Sequence, residues 1–160
     1  LAGSVSKSVA AVGALKLVED GKLSLDGNVT DKLRTWKVPD NQFTAQEKVT
    51  VRRITSHTAG LTVHGFAGYN RNASVPTVPQ ILDGASPANS PPVRVDTFPG
   101  ARWKYSGGGY TVMQLLMEDV TGEPFARWMA SHVLEPFGMS SSTFENPLPR
   151  AMWARAASGT

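Results

Sequence analysis

Ser4 and Lys7 stand three residues apart in the run Gly3-Ser4-Val5-Ser6-Lys7. Residues at i and i+3 share one face of a helix, so a hydroxyl and an amine meet here if the stretch is helical. The chemistry open to such a pair is nucleophilic. A serine hydroxyl attacks poorly until something takes its proton. A neutral lysine can take it, and burial or nearby positive charge moves a lysine toward neutrality. A helix start adds to this, because its unpaired N–H groups and positive dipole end favour an oxyanion forming on a bound acyl group. Ser6 and Ser8 flank Lys7 and are expected to point elsewhere. By itself Ser-x-x-Lys is a short pattern, and a helix-capping serine followed by a surface lysine would look the same.

Tyr105-Ser106-Gly107 is a second place where chemistry is possible. A tyrosine there could share proton transfer with Lys7, since a nearby ammonium stabilises a phenolate. Trp103, two residues earlier, is the tryptophan expected to touch substrate, while Trp36, Trp128 and Trp153 read as core or cleft wall. His57 follows a predicted helix end, where a histidine can bond free carbonyls, and reads as structural. His57, His64 and His132 are far apart in sequence and lack the His-Glu-x-x-His pattern, so no metal site is expected. Gly107-Gly108-Gly109 does not match a dinucleotide loop and reads as a close backbone approach at the cleft edge.

These residues need elements to hold them. The spacing of Val5, Val9, Val12, Leu15 and Val18 predicts a helix from about Ser4 to Glu19 with those residues on its buried stripe, ended by Asp20-Gly21. Leu23, Leu25 and Val29 alternate around a turn at Asp26-Gly27. Thr50 is a cap for a short helix over 51–56, with Gly60 just beyond. Residues 62 to about 101 carry Pro76, Pro79, Pro87, Pro91, Pro92 and Pro99, with Phe66, Tyr69, Ile81, Leu82 and Phe98 as anchors. That pattern predicts a long ordered loop, and long ordered loops are usually functional. Tyr110 to Val120 is predicted helical, and Phe125, Trp128, Met129, Val133 and Leu134 mark another helix, ended by Pro136 and Gly138.

Composition excludes several classes of protein. A chain of 160 residues with 41% hydrophobic content suits one ordinary domain. No apolar run approaches the roughly 20 residues of a membrane span. The net charge of +3 is mild, and bases such as Lys16, Lys32, Arg71 and Arg127 are scattered, so no nucleic-acid surface is expected. There is no cysteine, hence no disulfide and no thiol chemistry. Leu1 at one end and Ala157-Ser158-Gly159-Thr160 at the other suggest part of a larger protein, and Val5, Val9 and Val12 would then be candidates for an apolar face left exposed.

In combination and order, these segments resemble the serine beta-lactamase and penicillin-binding-protein superfamily. The nearest branch is the class C beta-lactamase-related one, which includes beta-lactamase-fold esterases and D-amino-acid peptidases. Gly3-Ser4-Val5-Ser6-Lys7 matches its nucleophile motif and Tyr105-Ser106-Gly107 its tyrosine motif. Leu23-Ser24-Leu25-Asp26, His57-Thr58-Ala59-Gly60-Leu61, Phe98-Pro99-Gly100 and Leu134-Glu135-Pro136-Phe137-Gly138-Met139 match the segments around them.

The resemblance implies an α+β, beta-lactamase/transpeptidase-like fold, in which residues 1–160 form a partial domain, mainly the helical part. It implies a serine hydrolase with an acyl-enzyme on Ser4, Lys7 as base or proton relay, and Tyr105 as a general base. Which of the two takes the first proton stays open. The Ser4 N–H would be one oxyanion donor, and Ser106, Gly107 and Trp103 would contact substrate. Small esters are the expected substrates. The alternatives are a beta-lactamase or D-Ala-D-Ala-type carboxypeptidase, or a non-catalytic binding protein of the same fold. The partner is a small ester, lactam or peptide, with no cofactor, and the expected location is periplasmic or secreted. There are two departures from the family pattern. The third motif, Lys-Thr-Gly or His-x-Gly, is missing, which would leave this stretch inactive alone. Gly107 stands where lactam- and peptide-binding members carry Asn, which favours esters, and it is expected to open space beside the nucleophile.

Overall fold

In a computed structural model, residues 2–70 and 72–156 are described. Leu1, Arg71 and the terminal run Ala157-Ser158-Gly159-Thr160 lie outside the described residues. The main helices are α1 (Ser6–Glu19), α2 (Val51–Thr55), α3 (Val78–Asp83), α4 (Gly107–Thr121) and α5 (Phe125–Met129). A short 3-10 turn, Gly3–Val5, leads into α1, and α5 runs on into a π turn over Ala130–Leu134. Among the described residues, β structure is limited to an antiparallel bridge between Leu61 and Val95.

The core is organised around α4. Val112, Met113, Leu115, Leu116 and Met117 are all buried, so the helix is apolar on most of its circumference and suits a central position. It packs against α1, α2, α3 and α5. Its one buried charge, Asp119, is satisfied: the carboxylate accepts the Arg34 N–H at 2.6 Å, the Thr35 N–H at 3.2 Å and the Thr35 hydroxyl at 3.1 Å. That pins the segment after Leu33 to the central helix.

The α1 boundaries match the sequence expectation; the buried stripe does not, although exposure of Val5 and Val12 agrees with the apolar face expected to be left uncovered in this stretch. Val5, Val12 and Leu15 are 70%, 41% and 46% exposed. The buried face is Ala10, Gly13, Ala14 and Leu17. The reason is proximity. A Cβ at Gly13 would lie 2.4 Å from Met129 Sδ, 3.0 Å from Met117 Cε and 3.1 Å from Trp128 Cζ3. Small residues let α1 approach α4 and α5 closely, and the valines are left on the outer side. Gly13→Val is therefore expected to destabilise the full-length protein by about 1–3 kcal/mol through overpacking. Thermal melts measure this directly, and an unchanged midpoint would mean the close approach is not needed.

The region after Thr62 contains one helix that its prolines concealed. Thr77 caps α3 with a reciprocal bond to Gln80, and Pro79 sits in the first turn, where its missing N–H costs nothing. The ends of this region are tied together. Thr62 N–H donates to Arg94 O, Asp96 N–H to Gly60 O, and Gly100 N–H to Thr58 O. Gly60 is required at this junction: its φ is +69°, and a Cβ would lie 2.1 Å from the Thr97 carbonyl oxygen. The turn at Asp26 is held to α2 by a two-pronged contact with Arg52, at 2.7 and 2.8 Å. Both partners are exposed, so it orients more than it stabilises.

Candidate active site

Ser4 lies on the turn Gly3–Val5, and Lys7 lies in the first turn of α1. Lys7 Nζ donates to Ser4 Oγ at 3.1 Å. Tyr105 comes from just before α4 and donates its phenol O–H to the same Ser4 Oγ at 2.6 Å. The meeting follows from the packing of α1 on α4, which brings the two helix starts side by side. One serine oxygen thus accepts from both groups.

The electrostatics separate two tyrosines. The hydrogen bond from Lys7, then that with Ser4, holds the Tyr105 phenol below the ordinary tyrosine range. Burial, then neighbouring Tyr105, pushes Tyr110 above it. Environments that drive two like groups apart are a mark of acid–base sites. Lys7 Nζ also lies 5.1 Å from the Tyr105 ring centre and 5.7 Å from that of Tyr110, within cation–π range.

These groups open onto a cavity of about 630 Å³, a size suited to a small organic ligand. Trp103, His64, Gly65 and Phe66 line it together with Tyr105, as do Phe125 and Phe144, whose rings pack edge to face at 5.2 Å. Trp103 is 67% exposed and lines the cavity. Ser6, expected to point away, lines it too.

One expected substrate contact, Ser106, and the space expected beside Gly107 need correction. Ser106 is buried and is not among the cavity-lining residues. Its hydroxyl donates to Thr62 O at 2.7 Å and accepts the Gly109 N–H at 2.8 Å, so it caps α4 and has no hydrogen to offer a ligand. Gly107 does line the cavity but opens no space. A Cβ there would sit 3.0 Å from the His64 carbonyl oxygen and 3.4 Å from the Phe66 ring. The missing side chain lets the 62–66 segment close on α4, and Gly107 N–H donates to His64 O at 3.0 Å. Gly107, Gly108 and Gly109 are the first turn of α4 itself, which therefore starts earlier than Tyr110.

Sequence reasoning passed over His64 and Phe66 as site residues. His64 lies 4.8 Å from the Tyr105 ring. It is brought there by Val63, a β-branched residue at φ 62°, and nothing in the sequence announces a backbone turn of that kind. His57 and His64, widely spaced in the sequence, both lie against the Tyr105 ring. His57 bonds a donor, not a carbonyl: its Nδ1 accepts the Ser106 N–H at 3.2 Å. Trp36 and Trp128 are core residues as expected, whereas Trp153 is exposed. Among the described residues there is no group of three or more metal-ligating side chains, and no helix long and apolar enough to cross a membrane.

The chain belongs to the beta-lactamase family, whose family model matches residues 1–160. Its fold is the α+β beta-lactamase/transpeptidase-like one, of which this stretch is mainly the helical part. Esterase EstB of Burkholderia gladioli is 29% identical over 158 residues, covering 91% of this chain and 38% of the esterase. The structure of a beta-lactamase/D-alanine carboxypeptidase from Yersinia pestis superposes with a TM-score of 0.71 at 22% identity, covering 95% of this chain and 42% of that one. The D-amino acid amidase of Ochrobactrum anthropi gives a TM-score of 0.65 at 27% identity, covering 86% and 35%. The chain thus spans less than half the length of each of these relatives.

Proposed function

We propose that the protein is a serine hydrolase that transfers an acyl group from a small ester to water through Ser4. The observation that carries this reading is the single Ser4 oxygen receiving both Lys7 Nζ and the Tyr105 hydroxyl. In the first step Ser4 Oγ bonds to the substrate carbonyl carbon while its proton passes to the basic member of the Lys7–Tyr105 pair. The leaving alkoxide takes that proton as the ester C–O bond breaks. Water then attacks the acyl-Ser4 carbonyl carbon and gives up a proton to the same pair, and Ser4 Oγ takes that proton back as its bond to the acyl carbon breaks and the acid leaves. The hydrogen bond from Lys7, which lowers the Tyr105 phenol below its ordinary range, supports Tyr105 as a partner in this proton transfer. The Ser4 N–H, in the first turn of a helical run, is one candidate oxyanion donor.

The ester preference rests on Gly107. It offers no side-chain amide to an acylamide substrate, and the place beside it is taken by His64 and Phe66. An amide at position 107 would first have to displace the His64 carbonyl. That relatives bear the names esterase, carboxypeptidase and amidase supports acyl transfer as the common chemistry. An exported location belongs to the same reading, by resemblance.

The test uses the full-length protein. A fluorophosphonate probe is expected to label Ser4, mapped by peptide mass spectrometry, and kcat/KM for nitrophenyl butyrate is expected to exceed that for nitrocefin. Labelling at Ser6 or Ser106 would overturn the nucleophile assignment. Faster turnover of nitrocefin would replace the esterase with a beta-lactamase. A protein that labels nowhere and turns over neither substrate would be a binding protein of this fold.

A further inference from the structure

Tyr105 lies in the segment before α4 and owes its position to what surrounds it. The nearest ring is His57, stacked on the phenol with centroids 4.3 Å apart and planes 30° from parallel. His57 immediately follows Ser56, the end of α2, and adopts φ 57°, in the left-handed region that side chains with a Cβ seldom occupy. That backbone turn places two acceptors on either side of Tyr105. The His57 carbonyl accepts the Lys104 N–H at 2.7 Å, and Nδ1 accepts the Ser106 N–H at 3.2 Å. The residue before Tyr105, the residue after it and its ring are thus all held by one histidine.

We propose that His57 is the positioning residue for Tyr105, keeping its phenol on Ser4 by accepting the Ser106 N–H with Nδ1. The proposal rests on the reading of Ser4, Lys7 and Tyr105 given above. An accepting Nδ1 requires the neutral ring with its proton on Nε2. The surroundings favour that form: burial first, then the charge of Lys7 and of His64, push the His57 pKa down. The other titratable groups facing it, Tyr105 and Tyr110, are phenols. The Ser106 backbone in turn feeds α4, whose cap is the Ser106 hydroxyl. Losing the acceptor therefore frees the junction that carries Tyr105 while the buried part of α4 keeps its own contacts.

Two variants of the full-length protein separate this role from a purely structural one. Asn and Gly both tolerate φ 57°, so neither is penalised by the backbone. His57→Asn keeps an acceptor on the γ-branch, as Oδ1, and loses the ring. His57→Gly loses both. The acylation rate constant is read from the nitrophenolate burst with nitrophenyl butyrate, across a pH series, with a thermal melt to verify folding. His57→Gly is expected to acylate about tenfold to a hundredfold more slowly, from a misplaced proton-transfer group, with KM within about threefold. The rising limb of its pH profile is expected to move up toward the ordinary tyrosine range, as the phenol drifts from Lys7. His57→Asn is expected to stay within about threefold of wild type, with the limb unmoved. The proposal is overturned if folded His57→Gly matches wild type, or if His57→Asn loses the rate and shifts the limb. His57→Asn decides the matter even if the glycine variant does not fold. A wild type that never acylates at Ser4 would instead overturn the acyl-enzyme reading, and this proposal with it.

Discussion

Ser4→Ala is expected to lower kcat/KM for nitrophenyl butyrate by about 10⁴- to 10⁶-fold, the scale on which removing a covalent nucleophile leaves only binding and oxyanion stabilisation. The effect should be confined to chemistry. Ser4 is exposed, and the donors it releases, Lys7 Nζ and the Tyr105 hydroxyl, face the cavity and can turn to water. Stability is therefore expected to change by no more than about 0.5 kcal/mol. The measurements are steady-state kinetics, fluorophosphonate labelling and a melt on the same preparation. Retained labelling would show a different nucleophile, and Ser6, which also lines the cavity, would be the first to map. A loss of both activity and fold would mean that the hydroxyl matters for structure and that the kinetic loss says nothing about nucleophilicity.

Tyr105→Phe is the second large effect, with an expected fall of about 10²- to 10⁴-fold in the acylation rate, the usual contribution of a positioned proton-transfer group. The sign of the accompanying pH change follows from the depressed phenol. A base works in its deprotonated form. The wild-type rate should therefore rise as pH passes up through the Tyr105 pKa, at a pH below the ordinary tyrosine value of about 10, and level off above it. Phenylalanine keeps the stack on His57 but removes that limb. Lys7→Met should keep a limb but move it upward, because the ammonium that favours the phenolate is gone. If Tyr105→Phe retained most of the rate with an unchanged profile, Lys7 would be the base by itself and Tyr105 a neighbour.

Much of the scaffold was legible because local chemistry and tertiary packing agree. Thr50 caps α2, accepting the Arg53 N–H, and Gly122 closes α4 at φ 73°, both in the roles their types suggest. The meeting of Ser4 with Lys7 was readable from spacing, and the joining of Tyr105 to them from family resemblance. What was hidden depends on tertiary partners that no local pattern names. The buried face of α1 is made of residues too small to register in a hydrophobic pattern, so the valines drew attention to the wrong side. The three glycines opening α4 read as a close backbone approach, which they make, but not as helix, although Ser106 makes them a capped first turn. The positive φ of His57 and of Val63 depends on partners far along the chain, and neither residue type advertises it. Ser106 lies inside the tyrosine motif, yet only its bonds to Thr62 and Gly109 reveal that it serves the helix.

The way α4 begins also has a bearing on charge. The N-terminus of a helix is ordinarily an anion-binding site, with aligned N–H groups and the positive end of the dipole turned outward. Here the cavity meets such an end already neutralised. Gly107 N–H goes to His64 O, Gly108 N–H to Val63 O and Gly109 N–H to the Ser106 hydroxyl. A carboxylate on a substrate gains nothing from this helix, and Lys7, the lysine among the described cavity-lining residues, is committed to Ser4. On the ester reading proposed above, turnover of a neutral ester is therefore expected to be nearly indifferent to ionic strength.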